Sequence, residues 1–394
     1  MSQLVRAAVT TAPGRIEVRE FARPRVEPGA VLLRVRLSGI CGTDKHTFRG
    51  ETKQYAGTPH ERSIAYPLIC GHETVGIVAE LGGTVRDFEG VPLEVGDRVV
   101  PGANVPCGRC RFCLGGFPYY FCTALEDYGN SLSSIEPPHL FGGWAEYLYL
   151  LPRTPIFRVP AAVPDEVAVL TEEMAVTHGL EAARTMLGHW GGSPFGETVL
   201  VYGVGPLGLC HVAKARMTGS GVIVAFDRLP GRLRAAERLG ASMTADVNAV
   251  GPAERLDRLH EITGGLGPDI VVDATGVPET FAESLRLVRY GGVIVEVGAF
   301  VDMGEIGVNP ADVCAKNVTI IGIGGERATS YLPALRLMEQ HLDRLPLETI
   351  VSHRVALDDA ARGVELAQTD EATKVAIEPW LGREGEGEAT RDAS

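Results

Sequence analysis

Three groups of residues in this chain have types and spacings that can do chemistry. The first is Cys107, Cys110, Cys113 and Cys122, within PCGRCRFCLGGFPYYFC. The spacing C-x2-C-x2-C-x8-C lets one loop place four thiolates tetrahedrally around a single zinc ion. Such a site has no open coordination position, so it stabilises a loop and performs no reaction. Two disulfides in a secreted protein are the alternative. The start MSQLVRAAVTTAPG has no cationic stretch leading into an apolar core, so no signal peptide is expected. The cysteines are therefore expected in a reducing cytoplasm, where metal binding outranks disulfides.

The second group lies upstream, in Cys41-Gly42-Thr43-Asp44-Lys45-His46 and Gly71-His72-Glu73. Cys41 and His72 offer sulfur and imidazole, a donor mixture suited to zinc, and Glu172 could add an oxygen. Three protein ligands plus an exchangeable water describe a catalytic metal, whose charge acidifies what it binds. Taken alone, an isolated Cys, His and Glu is more often structural or solvated. The nearby zinc loop, the third motif and the position of Glu172 between two patterns of periodicity favour the metal.

The third group is Gly203-Val204-Gly205-Pro206-Leu207-Gly208, directly after the apolar run Val199–Tyr202 and opening a helical pattern. In that context the glycines permit a tight turn, backbone approach to a pyrophosphate, and close helix–strand packing. The helix start offers free N–H groups to the diphosphate. Asp227 stands nineteen residues after Gly208, at the end of the next apolar run. A carboxylate there accepts from ribose hydroxyls and repels a 2′-phosphate, favouring NAD over NADP; the adjacent Arg228 softens that preference. A plain glycine turn with a surface aspartate is the alternative.

The elements that must position these groups fall into two patterns. Up to about residue 165 the chain reads as short alternating strands broken by Gly and Pro, such as AYPLICGHETVGIVAELG, VGDRVVPG and GGWAEYLYL, an antiparallel barrel-like domain. Residues 123–140 read as an irregular excursion. From Asp165 the period changes: DEVAVLTEEMAVTHGLEAARTML predicts one helix. Strands ETVLVY, GVIVAFDR, GPDIVVDATG, GGVIVEVGAF and NVTIIGIGG then alternate with helices such as LPGRLRAAERLG and PETFAESLRLVRYG. That alternation predicts a doubly wound parallel sheet covered on both faces, hence an α/β fold. LPALRLMEQHL predicts a further helix, and SHRVALDDAARGVELA and KVAIEPW follow it.

At 394 residues the chain is long enough for two domains. Its net charge of −13 argues against binding a nucleic-acid backbone, and no apolar run approaches the length of a membrane span.

The motifs GICGTDKH, GHETVGIV, GDRVV, the four-cysteine loop, GVGPLG and FDR stand in an order that resembles the zinc-dependent medium-chain dehydrogenase/reductase superfamily, the alcohol and polyol dehydrogenases. The resemblance covers nearly the whole chain. It implies a GroES-like catalytic domain over 1–165, a Rossmann NAD-binding domain over 166–332, and a return to the first domain over 333–394, with a disordered tail from about 382. It implies Cys41 and His72 as the first two ligands of a catalytic zinc. Glu73 matches an acid that ligates directly in polyol-type members, and Glu172 the third-ligand position, so the direct glutamate ligand stays open between them. Thr43 matches the hydroxyl that takes the substrate proton, His46 the relay to solvent, and Arg232 a cofactor-contacting arginine.

There are departures from the family's pattern. The last cysteine gap is eight residues where seven is usual, implying a slightly distorted loop. Glu172-Glu173 replaces a frequent Glu-Pro, leaving open which glutamate faces the metal. Residues 123–140 are longer than typical and would border the substrate cleft. Cys70, Cys210 and Cys314 have no partner pattern and are expected as buried small apolar residues. The implied activity is NAD-dependent oxidation of a secondary alcohol, such as a polyol, cyclitol or amino alcohol, to the carbonyl by hydride transfer. A carbonyl reductase of the same superfamily and a non-catalytic nucleotide-binding protein are the rivals. A small-molecule alcohol is the implied partner. A homodimer or homotetramer paired through GGVIVEVGAF or NVTIIGIGG is the implied assembly.

Overall fold

Short apolar strands bounded by Gly and Pro build the first lobe. The computed structural model describes residues 3–51, 61, 63–64, 66–193 and 195–383. In chain order the first lobe contains β1 (Leu4–Ala12), β2 (Arg15–Ala22), β3 (Val31–Gly39), α1 (Gly42–Arg49), β4 (Leu68–Ile69), β5 (Thr74–Leu81), β6 (Arg98–Pro101) and β7 (Asn104–Val105). Then come α2 (Arg111–Leu114), β8 (Glu126–Asp127), β9 (Tyr147–Leu150) and β10 (Ile156–Arg158). β3 is its spine, paired antiparallel with both β5 and β9. The excursion at 123–140 contributes β8, paired with β7.

The single helix read over 165–187 is three: α3 (Asp165–Ala168), α4 (Thr171–Val176) and α5 (Gly179–His189). The breaks fall at threonines. Thr171 and Thr177 turn their hydroxyls back onto the carbonyls of Ala168 and Met174, both at 2.6 Å, the local competition that interrupts helices.

The second lobe alternates β11 (Thr198–Tyr202), α6 (Pro206–Met217), β12 (Val222–Asp227), α7 (Pro230–Arg238), β13 (Met243–Asp246) and α8 (Pro252–Ile262). It continues with β14 (Ile270–Asp273), α9 (Pro278–Leu287), β15 (Val293–Glu296), α10 (Pro310–Cys314) and β16 (Thr319–Gly322). Its strands are parallel in the order β13-β12-β11-β14-β15-β16. The order reverses between β11 and β14, and ligands of such sheets sit at that point, beyond the carboxyl ends of the strands. The apolar runs of β11 and β14 are buried, as both faces of the sheet are covered. β13 was not among the expected strands; MTAD has neither the length nor the apolar run that marked the others. β15 lies inside the sheet, so GGVIVEVGAF presents no edge, whereas β16 of NVTIIGIGG does.

The chain then forms α11 (Ala328–Glu339), β17 (Val351–Val355), α12 (Ala360–Leu366) and β18 (Lys374–Ile377). β18 pairs antiparallel with β3, placing Ala376 opposite Gly39, and β17 runs parallel beside it. Of the tail expected to be disordered from 382, Gly382 and Arg383 are described, and Arg383 pairs with Glu146 at 2.5 Å; 384–394 lies outside the described residues. Cys70 and Cys210 are buried as expected, but Cys314 is exposed, because α10 packs loosely at the sheet margin with none of its residues buried. No helix among the described residues is long and apolar enough to cross a membrane.

One contact fixes the turn that opens α6. A Cβ on Gly208 would stand 1.9 Å from the carbonyl oxygen of Gly203, whose own φ is +84°. Gly208→Ala is therefore expected to push α6 off β11, costing about 1–3 kcal/mol as an overpacked contact. Urea denaturation measures the loss, and dinucleotide binding should weaken with it.

Candidate active site

The four-cysteine loop leaves β7 and closes through α2 and a short 3₁₀ turn at Tyr119–Phe121. The four sulfurs lie within 4.8 Å of one another. Cys110 and Cys113 are 3.5 Å apart at Sγ, and Cys107 and Cys113 are 4.0 Å apart. Those separations are far beyond a disulfide bond of about 2.05 Å. They match the edge of about 3.8 Å that follows from tetrahedral zinc–sulfur bonds of about 2.3 Å. The eight-residue gap contains the 3₁₀ turn and still leaves Cys122 within reach of the other three sulfurs. Backbone N–H groups donate to the sulfurs, as from Cys107 N to Cys122 Sγ at 3.2 Å. Backbone donors, led by the Cys113 N–H, bring Cys110 down to about 5, favouring the thiolate a metal needs.

The second cluster sits where β3 and β5 meet the start of α1. Cys41 is the residue before α1, and one ligand atom each of Cys41, His72 and Glu73 lies within 4.8 Å of the others. Asp44 holds the two loops together: its carboxylate accepts from Cys41 N at 2.8 Å and from Gly71 N at 3.2 Å. An acid three residues past the cap is a capping-box position, the one sequence signal for its role.

Behind this cluster is a buried ion triad. Lys374, at the start of β18, has Nζ 2.6 Å from Glu73 Oε2 and 3.0 Å from Glu173 Oε1, with no exposure of the lysine. Gly39 makes room for it, since a Cβ there would stand 2.0 Å from Glu73 Oε2. Glu173 is thereby committed to Lys374. Glu172 has no hydrogen-bond partner among the described residues and lines the cleft.

Charge at this centre is unbalanced. Cys41, Asp44, Glu73, Glu172 and Glu173 face two lysines, Lys374 and Lys45, and one histidine, His72. Burial, then the charge of Glu73, hold the Cys41 thiol well above its usual range. Burial, then Glu326, do the same to Glu172. Burial opposes a charge on His72, yet Asp44, Glu172 and Glu73 raise its pKa. His72 Nδ1 and Glu73 Oε1 are buried without hydrogen-bond partners. Soft and hard donors, orphaned buried atoms and excess negative charge are together the environment of a divalent cation such as zinc.

The nucleotide-type motif lies in the same cleft. Gly203, Gly205, Pro206, Leu207 and Gly208 line it, as do Asp227, Arg228 and Arg232. Asp227 accepts from Val204 N at 2.8 Å and Leu229 N at 2.9 Å, so its carboxylate staples the glycine turn to β12. Arg232 faces Asp227, and its Nε is buried without a partner. A turn that admits no side chain, a helix start and an orphaned guanidinium nitrogen fit a dinucleotide.

Thr43 and His46 line the cleft on the α1 side. Thr43 Oγ1 is 4.0 Å from Cys41 Sγ, and His46 Nδ1 is 2.6 Å from Glu51 Oε2. Burial lowers the pKa of His46 against the opposing pull of Glu51, so the ring is neutral at pH 7 and able to take a proton. The cleft encloses about 1000 Å³ and holds both the Cys41–His72–Glu73 cluster and the glycine turn. Tyr128 and Asn130 of the 123–140 excursion line it, as expected from the sequence. Asp44, Lys374, Glu173 in its ion-pair role, and Glu326 were not singled out by sequence reasoning. Lys374 heads an otherwise apolar strand, which is the only sign of it.

Two family models match the chain: Alcohol dehydrogenase GroES-like domain over residues 27–161 and Zinc-binding dehydrogenase over 206–340. It is 31% identical to 5-exo-hydroxycamphor dehydrogenase of Pseudomonas putida, over 96% of this chain and 100% of that protein. Among solved structures, an alcohol dehydrogenase of Thermotoga maritima superposes with a TM-score of 0.86 at 28% identity, covering 95% of this chain and 99% of that one. A zinc-binding dehydrogenase of Sinorhizobium meliloti 1021, solved bound to NADP, gives 0.79 at 28% identity, covering 96% and 100%.

The ion triad sets a stability test. Lys374→Met leaves Glu73 and Glu173 buried without their counter-charge and is expected to cost about 3–5 kcal/mol in urea denaturation. Adding Glu173→Gln to that variant should recover part of the loss. An unchanged midpoint for Lys374→Met would contradict the triad.

Proposed function

The chain belongs to the zinc-dependent medium-chain dehydrogenase/reductase superfamily and is an alcohol dehydrogenase, and we propose that it oxidises a secondary alcohol to the carbonyl with NAD as hydride acceptor. The observation that carries this reading is the shared cleft: the Cys41–His72–Glu73 donor set and the Gly203–Gly208 turn open into one cavity. Positioning of two reactants side by side is the larger part of such a rate enhancement.

Zinc held by Cys41 and His72, with Glu73 or Glu172 as the oxygen ligand, would act as a Lewis acid that lowers the pKa of a bound alcohol. NAD at the glycine turn would accept the hydride. The Thr43 hydroxyl takes the alcohol proton in this scheme, and His46, neutral at pH 7, carries it to solvent. Asp227 accepts from the adenosine ribose and disfavours a 2′-phosphate, while Arg228 and Arg232 lie close enough to temper that discrimination. Cys107, Cys110, Cys113 and Cys122 would hold a second, structural zinc. A cytoplasmic site of action and a homodimer or homotetramer joined along β16, whose Ile320 is 42% exposed, complete the reading.

The test is NADH formation across secondary alcohols, polyols, cyclitols and amino alcohols, with NAD and with NADP, before and after chelation. A chelator-sensitive signal that is larger with NAD is expected. Cys41→Ser should abolish turnover while NADH still binds, whereas Cys107→Ser should lower the melting temperature and remove one zinc per chain. Full activity in a zinc-free Cys41→Ser protein would end this reading.

The acid limb offers a separate check. Because burial lowers the pKa of His46, the loss of kcat from its protonation should fall below pH 6.5, the ordinary value for the ring. His46→Ala should cut kcat at pH 7 by about 10²–10⁴ and remove that limb. A pH–rate profile of both proteins measures it.

A further inference from the structure

Glu326 stands on the loop after β16, is 2% exposed, and lines the cleft beside Glu172. Its Oε1 accepts from Asn104 Nδ2 at 2.7 Å, from the Tyr331 hydroxyl at 3.2 Å, and from the Tyr119 hydroxyl. Asn104 and Tyr119 belong to the first lobe and Tyr331 to α11, so this oxygen latches the lobes together. Three donors on one oxygen also fix the carboxylate's orientation.

The other oxygen is the informative one. Oε2 has no hydrogen-bond partner among the described residues, yet it is not among the sealed unpartnered atoms, so it borders the cleft that Glu326 lines. A latch needs only Oε1. A glutamine would serve it equally and would avoid holding a charged acceptor unpaired in a buried wall. The charge of Glu326 acts on both Glu172 and His72, which places it at the metal-donor end of the cleft. The lysines and arginines around the cleft do not offset it there. Arg228 and Arg232 accompany Asp227, Lys45 lies near Arg232, Arg49 pairs with Glu51, and Lys374 is held by Glu73 and Glu173.

We propose that Glu326 determines specificity: its Oε2 accepts a hydrogen bond from a second donor on the alcohol, a hydroxyl or an ammonium. The site then takes polyhydric or amino alcohols and refuses alcohols that carry a carboxylate or phosphate. This deepens the alcohol-oxidation reading and rests on it for the identity of the reacting group.

Calorimetric titration of the zinc-loaded protein, with and without saturating NADH, tests the proposal free of turnover, since NADH accepts no hydride. The probes are butan-2-ol, butane-2,3-diol, 3-aminobutan-2-ol and 3-hydroxybutyrate. The diol or the amino alcohol should bind about 10-fold tighter than butan-2-ol, the scale of one hydrogen bond to a charged group, and 3-hydroxybutyrate should bind weakest. Glu326→Gln keeps the acceptor for the latch and turns a donor toward the cleft. In it the preference should shrink to within about threefold, and 3-hydroxybutyrate should gain affinity. Equal binding of butan-2-ol and the diol to the unaltered protein overturns the proposal, as does a preference that survives Glu326→Gln. If that variant does not fold, the ranking by the unaltered protein decides alone. Intact preference with no hydride transfer from any alcohol would refute the proposed activity and leave this inference standing.

Discussion

The architecture depends on one buried lysine. Lys374 has no solvent exposure and is held between Glu73 and Glu173 at 2.6 and 3.0 Å. The three members of this triad are distant in sequence: Glu73 on a loop between β4 and β5, Glu173 on the short helix α4 between the lobes, and Lys374 itself on β18 near the end of the described residues. An ammonium in a dry interior is tolerable only with its counter-charges in place. The lysine therefore obliges β18 to lie against β3 and obliges α4 to approach the first lobe. Both consequences are visible: Ala376 pairs with Gly39, and Met174 and Val176 of α4 share a core with Leu37 of β3 and Val75 of β5.

From that constraint follows the division of labour between two adjacent glutamates. Glu173 turns inward to the lysine. Glu172, one residue before it on α4, consequently faces the cleft, because neighbours on a helix lie about 100° apart. Glu73 is split between its atoms: Oε2 binds Lys374, and Oε1 is left buried and unpartnered in the residue that also belongs to the Cys41–His72 cluster. The lysine thus holds one glutamate of the donor cluster by a single oxygen and commits its neighbour on α4 elsewhere.

Much of this was legible in the sequence, and the limits have physical causes. The parallel sheet was readable because β11, β12, β14, β15 and β16 contain apolar runs bounded by turn residues. β13 was not, since four residues of which only Ala245 is buried carry no such run. The three-way split of the helix after Asp165 depends on threonine hydroxyls choosing nearby carbonyls, a choice that hydrophobic periodicity does not encode. Within the cleft, ligand-type residues grouped by short spacings were found: Cys41, His72, the four cysteines and the glycine turn. Residues that act through long-range contact were missed. Lys374 and Glu73 are separated by 301 positions, and Asn104 and Glu326 by 222. Neither pairing has a local pattern, so only the folded chain brings them into view.

The distribution of buried charge separates what stabilises the fold from what awaits a ligand. Arg255 with Glu283 and Arg184 with Glu197 are paired one to one within the chain, and Lys374 is shared between two glutamates. The acidic groups on the cleft wall are not so paired: among the described residues Glu172 has no hydrogen-bond partner, and Glu326 satisfies a single oxygen. Uncompensated burial favours the protonated carboxyl, and Glu172 is pushed that way by burial and by Glu326. A group that binds there and supplies positive charge or donors reverses the penalty and stabilises the folded form by its own binding free energy. Unsatisfied acceptors on the cleft wall are what a binding site requires, since a self-satisfied wall would have nothing to offer a ligand.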